Sequence, residues 1–312
     1  EAAKKEGKVT WYTSVDLPLA ERVAKVFEAK YPGVSLKVER SGAERNFQRI
    51  GQEYASKIYN CDVANSSDAA HLILWKRQNM LAAYVPEDVA QFFPAAHKDP
   101  DGMFASWRYM LCPMAYNTKL VKPEDAPKSY ADLLDPKWTS KIVKAHPGYS
   151  GTIMTATQQL ARDLGWDYLE KLAAQSVMQV QSASDPPKKL ALGERAVQAD
   201  GNEYNLHQLK EAGQPVEPLY AAEGTPLIIG PNGIFRNAPN PNAARLFQAY
   251  CFTAECQQLV IDVGGMRSIH PQTKEKPGRK PLKEIKTLKE DAAAVEKQGE
   301  EIRQRYSRLF KV

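Results

Sequence analysis

Short apolar runs separated by segments of helical period fill the first hundred positions. Residues 8–12 (KVTWY) predict a strand, after which Leu19, Val23, Val26 and Phe27 recur at helical spacing until Pro32-Gly33 ends the pattern. Residues 34–38 alternate Val34, Leu36 and Val38 against Ser35 and Lys37, a half-buried strand. A helix over 47–58, a short strand over 61–64 and a helix over 69–80 follow. Strands alternating with helices of this length predict βαβ units and a mostly parallel sheet.

The second half repeats the theme. Residues 110–117 (MLCPMAYN) read as a strand interrupted by Pro113, which suits an edge or a bend. Strands are expected over 141–144, 177–181, 196–200 and 227–229, and helices over 152–164, 187–192, 204–211 and 239–254. An amphipathic helix over 291–310 ends the chain. The fold class expected is α/β with two lobes. The first lobe spans residues 1–115 plus 228–270 and the second 116–227, with 271–312 a basic segment and helix packed on the lobes.

Length changes this picture little: 312 residues suit two domains with sizeable cores. Charge changes it more. The net +5 concentrates in residues 274–289, which hold seven basic and two acidic side chains. Removing seven from the 42 basic and two from the 37 acidic residues leaves 35 of each. A neutral body with one local basic run that lacks aromatics points away from nucleic acid. No apolar run reaches the roughly 18–20 residues of a membrane span. The polar opening EAAKKEGKV, without a methionine, fits a mature chain whose signal peptide has been removed.

Candidate catalytic chemistry is sparse. The chain contains no GxSxG, P-loop or HExxH motif, and its five histidines do not cluster with Cys61, Cys112, Cys251 or Cys256. Four cysteines permit two disulfides in three connectivities, or four buried thiols, and Cys61 and Cys112 could face one another across a sheet. No enzyme and no cofactor are expected. Four strand-to-helix junctions instead stand out as rich in small polar residues: Thr13-Ser14, Asn65-Ser66-Ser67-Asp68, Tyr149-Ser150-Gly151-Thr152 and Ser182-Ala183-Ser184. Each can cap a helix, and each can offer hydroxyls and backbone N–H groups to a small anion. In open α/β sheets, ligands sit at the carboxyl ends of the strands.

The residues at these places resemble a known family. KVTWYTS, the helix ending FEAKYPGV, DVANSSDA (62–69), MAYNTKLV (114–121), LLDPKWTSKI (133–142), PGYSGT (147–152) and residues 223–247 are similar, in order, to bacterial periplasmic solute-binding proteins of the ferric-iron-binding type. The resemblance implies a class II "Venus flytrap" with hinge strands between its lobes, around Ala115-Tyr116-Asn117 and Thr225-Pro226-Leu227. It also implies a periplasmic monomer that delivers a small solute to an ABC transporter permease in the inner membrane.

Ferric-iron members use two adjacent tyrosines, whereas the matching stretch here is Asn202-Glu203-Tyr204-Asn205-Leu206-His207, with Tyr204 alone. The loop after the first strand has Val15-Asp16 where several iron members have a histidine. An organic or phosphorylated anion is therefore expected as ligand and no metal site is assigned; Tyr204 with Glu203 would serve the iron alternative. The expected ligand residues are Thr13, Ser14, Ser66 and Ser67 on one lobe and Ser150, Gly151, Thr152 and Ser182 on the other. Tyr204 and Asn205 close over the ligand, Trp11 or Tyr12 stacks on an apolar part, and Arg40 is the charge partner. A two-lobed transferase resembling porphobilinogen deaminase is the alternative of another class.

Overall fold

The computed structural model describes residues 1–312, and the chain divides into two compact units. One comprises Glu1–Tyr109 and Ile229–Gly278, the other Met110–Ile228 and Arg279–Val312. Eleven strands run in chain order: β1 Lys8–Thr13, β2 Ser35–Arg40, β3 Val63–Asn65, β4 Leu81–Ala82, β5 Phe104–Leu111, β6 Met114–Asn117, β7 Ile142–Ala145, β8 Met178–Val180, β9 Val197–Gln198, β10 Val216–Leu219 and β11 Leu227–Phe235. The α-helices are α1 Ala2–Glu6, α2 Leu17–Lys30, α3 Ala43–Ala55, α4 Ala69–Arg77, α5 Glu87–Phe92, α6 Gly151–Leu164, α7 Trp166–Ala173, α8 Asp185–Ala191, α9 Glu203–Glu211, α10 Pro241–Cys251, α11 Ala254–Asp262 and α12 Ala292–Phe310.

The first unit is built on a sheet of order β2-β1-β3-β11-β4, with β5 alongside β11. Strands β1, β2 and β3 are parallel, as the alternation of strand and helix requires. β11 is antiparallel to β3 and β4, so the sheet is mixed. Trp11 on β1 meets Trp107 and Phe247 edge to face at 5.4 and 5.2 Å and is fully buried. Beside this core lies the fully buried carboxylate of Asp62. Its Oδ2 accepts from the Thr10 N–H at 2.7 Å and its Oδ1 from the Asn240 N–H at 2.7 Å, tying the sheet to the start of α10.

The second unit has a sheet of order β10-β6-β9-β7-β8, with β8, β7 and β9 parallel and β6 and β10 antiparallel additions. Leu133, Trp138, Leu160, Leu169 and Leu172 fill its core, and α12 packs on α6 and α7. Beneath α12 lies a fully buried ion pair, Lys144 Nζ to Asp200 Oδ2 at 2.6 Å, with the ammonium 4.8 Å from the centre of the Tyr306 ring. Residues 279–289 are anchored to this unit: Ile285 and Leu288 are buried, and the Thr225 N–H donates to the Lys286 carbonyl.

Three differences from the sequence expectations have local causes. Pro113 splits residues 110–117 into the end of β5 and all of β6, and the change of unit falls within β5, ahead of Ala115–Asn117. The 239–254 helix is two helices, because Thr253 caps a new one: its Oγ1 accepts from the Cys256 N–H and donates to the Tyr250 carbonyl. β11 runs nine residues, through Gly230-Pro231-Asn232-Gly233, which reads locally as a turn. Tertiary contact holds it extended, since the Asn65 Nδ2 donates to the Gly230 and Pro231 carbonyls and the Ser66 N–H to that of Pro231. All four cysteines are free and buried. Cys61 in the first unit donates to the Val63 carbonyl, and Cys112 in the second accepts from the Gly201 N–H, so the two do not pair.

Candidate functional site

In the first unit, the parallel run β2-β1-β3 brings Thr13, Arg40 and Asn65 to one edge, each followed by the turn into a helix. Thr13 is fully buried; its Oγ1 accepts from the Val15 N–H and lies 3.5 Å from Asn65 Oδ1. Ser14, half-buried, accepts at Oγ a 2.9 Å hydrogen bond from Nη2 of Arg108. Arg108 is 1% exposed and its Nη1 reaches Met266 Sδ at 3.4 Å. The guanidinium can lie here because residue 230 is glycine: a Cβ there would stand 2.6 Å from Arg108 Nε and 2.7 Å from its Cγ. Ser66 is buried, bonded to His71 and to the Asp68 N–H, while Asp68 caps α4 through the Ala70 N–H. Ser67 is buried beside it.

The second unit repeats the arrangement with β7, β9 and β8. Ser150 caps α6, its Oγ accepting from the Ile153 N–H, and the first N–H groups of that helix, from Gly151 and Thr152, have no carbonyl to bond within the helix. Fourteen residues of α6 place a positive partial charge there. His146, at the end of β7, shapes the loop: its Nδ1 accepts from the Gly148 N–H and its Nε2 lies 3.3 Å from Ser307 Oγ of α12. Burial and the neighbouring Lys144 charge pull the imidazole pKa down. After β9, Asn202 Nδ2 donates to Tyr204 Oη and Asn205 Oδ1. Glu203 is 2% exposed and accepts from the Tyr220 hydroxyl at 2.5 Å.

The predicted residues therefore fall into two strand-end groups, one per unit, with four departures. Trp11 and Tyr12 are 0% and 1% exposed, so neither ring presents a stacking face. Tyr12 donates its hydroxyl to Glu53 and carries the Arg49 guanidinium over its ring at 4.4 Å. Alternation along β1 hides both faces because helices cover both sides of a mostly parallel sheet. Arg40 is exposed but already engaged, with Nε donating to the Val15 carbonyl and Nη2 3.7 Å from Asp16. Ser182 is exposed and bonded within its own turn to Ser184 Oγ and the Asp185 carboxylate.

Sequence reasoning missed Arg108 and the Gly230 that seats it. Arg108 had a signal, being the single charge in the strand FASWRYML, where a buried cation needs a purpose or a partner. His146 and His207 are buried, with His207 Nε2 3.7 Å from Glu203.

Residues 62–294 match the family described as bacterial extracellular solute-binding protein. The periplasmic binding protein AfuA from Actinobacillus pleuropneumoniae, solved with exogenous fructose-6-phosphate bound, is similar over 98% of this chain and 99% of its own, with a TM-score of 0.88 and 25% identity. Iron-bound HitA from Pseudomonas aeruginosa shares the fold at a TM-score of 0.84 and 20% identity, over 96% of this chain and 99% of its own. A probable ABC transporter periplasmic-binding protein of Sinorhizobium fredii is 23% identical over 255 residues, 78% of this chain and 70% of the relative. No helix here is long and apolar enough to cross a membrane. Two α/β units with helix-capping strand ends and a family match over most of the length agree: the chain belongs to the bacterial extracellular solute-binding proteins, has the fold of two-lobed periplasmic binding proteins, and is a binding protein rather than an enzyme.

Proposed function

We propose that this protein is the periplasmic solute-binding component of an ABC importer, and that its cargo is a small organic or phosphorylated anion captured as the two lobes close on it. The observation that carries the reading is the buried Arg108 guanidinium donating to Ser14 at the strand ends of the first unit. A cation held there supplies charge, while Thr13, Ser14, Ser66 and Ser67 supply short polar groups. The second unit contributes Ser150 and the N-terminal N–H groups of α6, which favour an oxyanion. Arg40 is a peripheral charge in this reading, since Asp16 and the Val15 carbonyl already occupy it. A ligand that contacts both lobes stabilises the closed form over the open one, and the closed form is what a permease would recognise.

Ferric iron is the weaker reading for a chemical reason. The Tyr204 phenol accepts from Asn202 and lacks an adjacent tyrosine, and Glu203 is hydrogen-bonded to Tyr220. A thermal-shift panel of sugar phosphates, phosphonates, carboxylates, thiamine phosphates and ferric citrate tests the choice. Stabilisation by an anion and no tyrosinate charge-transfer band with iron is expected. A strong visible band with ferric citrate, and no response to the anions, would reverse it.

A further inference from the structure

Ser66 Oγ and His71 Nδ1 are 2.9 Å apart, and both residues are buried, at 2% and 7% exposure. On the far side of the ring, Nε2 lies 3.4 Å from Glu44 Oε2 of α3 and 3.8 Å from Asp68 Oδ2 at the start of α4. Phe47 of α3 stacks on the imidazole at 4.3 Å and 14°, and Trp75 of α4 tilts against it at 6.1 Å, so the ring is held in plane. Ser66 Oγ also accepts from the Asp68 N–H at 3.0 Å.

Two carboxylates facing Nε2 favour a hydrogen on that nitrogen, which leaves Nδ1 of the neutral ring a bare acceptor. The proton in the 2.9 Å contact must come from Ser66 itself. With its hydrogen given to Nδ1 and one lone pair taken by the Asp68 N–H, the hydroxyl has only a lone pair left for anything else.

We propose that His71, backed by Glu44, is a positioning residue that sets the polarity of the Ser66 hydroxyl. With its own hydrogen on Nδ1, Ser66 offers the solute a lone pair and accepts from a solute hydroxyl. The solute therefore carries a hydroxyl beside its anionic group. This rests on the cargo reading above, and its test has one arm that needs no ligand.

Nitrogen-15 NMR of the ligand-free full chain at neutral pH reads the tautomer. The expected result is a protonated Nε2, with Ser66→Ala moving the Nδ1 resonance; a protonated Nδ1 in the neutral ring, or no response to Ser66→Ala, overturns the relay. Calorimetry with fructose 6-phosphate and with inorganic phosphate is the second arm. His71→Leu should weaken the hydroxylated probe roughly threefold to tenfold, the scale of one neutral hydrogen bond, and spare inorganic phosphate. His71→Asn, whose amide oxygen can take the place of Nδ1, should restore binding to within about twofold. Equal loss of both probes in His71→Leu without rescue by Asn, or no loss of either, contradicts the proposal. If neither probe binds the wild-type protein, the cargo reading fails and the NMR arm alone decides the relay.

Discussion

Replacing Lys144 by methionine perturbs the second unit at its most charged buried point. Lys144 and Asp200 are both fully buried, 2.6 Å apart, and Asp200 Oδ1 also accepts from the Ala145 N–H at 3.0 Å. Burial pulls the ammonium pKa down, but the Asp200 charge, the Tyr306 neighbour and the hydrogen bond to Asp200 outweigh it and push the value up to about 12. A raised pKa means the contribution is fully present below the unfolded value near 10.5 and disappears only as pH passes about 12. The wild-type pair is therefore constant across neutral pH. Lys144→Met fills the volume but leaves Asp200 a buried carboxylate with one N–H donor, which costs about 3–5 kcal/mol, including the lost cation–π contact with Tyr306. With a urea slope of about 2 kcal/mol per M, the unfolding midpoint of this unit should fall by about 2 M. An unpaired buried carboxyl binds its proton more readily folded than unfolded, so the deficit should shrink as pH falls from 8 to 5. Lys144→Met/Asp200→Asn keeps the hydrogen bond to Ala145 without the charge and should recover at least half of the loss. A single-mutant shift below about 0.5 M, or a double mutant as unstable as the single, would refute the reasoning.

Other substitutions test the strand ends. Gly230→Ala should displace Arg108, costing about 1–3 kcal/mol in urea unfolding and weakening anion binding in calorimetry; unchanged binding would show that Arg108 does not need its present seat. Trp11→Ala should cost about 3–5 kcal/mol through the cavity it leaves beside Trp107 and Phe247, with residual folded protein still binding ligand; a selective binding defect at unchanged stability would return Trp11 to the ligand wall. Ser150→Ala should lower affinity for the anion and reduce stability by only about 1 kcal/mol, the scale of one cap, as read by calorimetry and thermal melting.

Much of the fold was legible because its elements obey local rules. The periodicity at Leu19, Val23 and Phe27 is the buried face of α2, and Pro32-Gly33 does follow its end. The same rules failed where tertiary contact overrides them. Gly230-Pro231-Asn232-Gly233 is held extended by Asn65 and Ser66, and no local pattern reveals that. The strand-to-helix junctions were legible as polar, since Ser150 and Asp68 cap helices with the residue types expected there. Burial was not, which is why Trp11 and Tyr12 read as stacking platforms although both rings are buried. Nor could spacing show that Arg108 reaches Ser14 across 94 residues, or that Glu44 lies behind His71.

The most direct test of the cargo assignment is a calorimetric titration of the best anion from the ligand panel into wild-type protein and into Arg108→Met, with melting temperatures measured on both. The account predicts saturable one-to-one binding to the wild type, at least tenfold weaker in the variant because a buried charge-assisted contact is lost. Wild-type affinity in a folded Arg108→Met protein would contradict it.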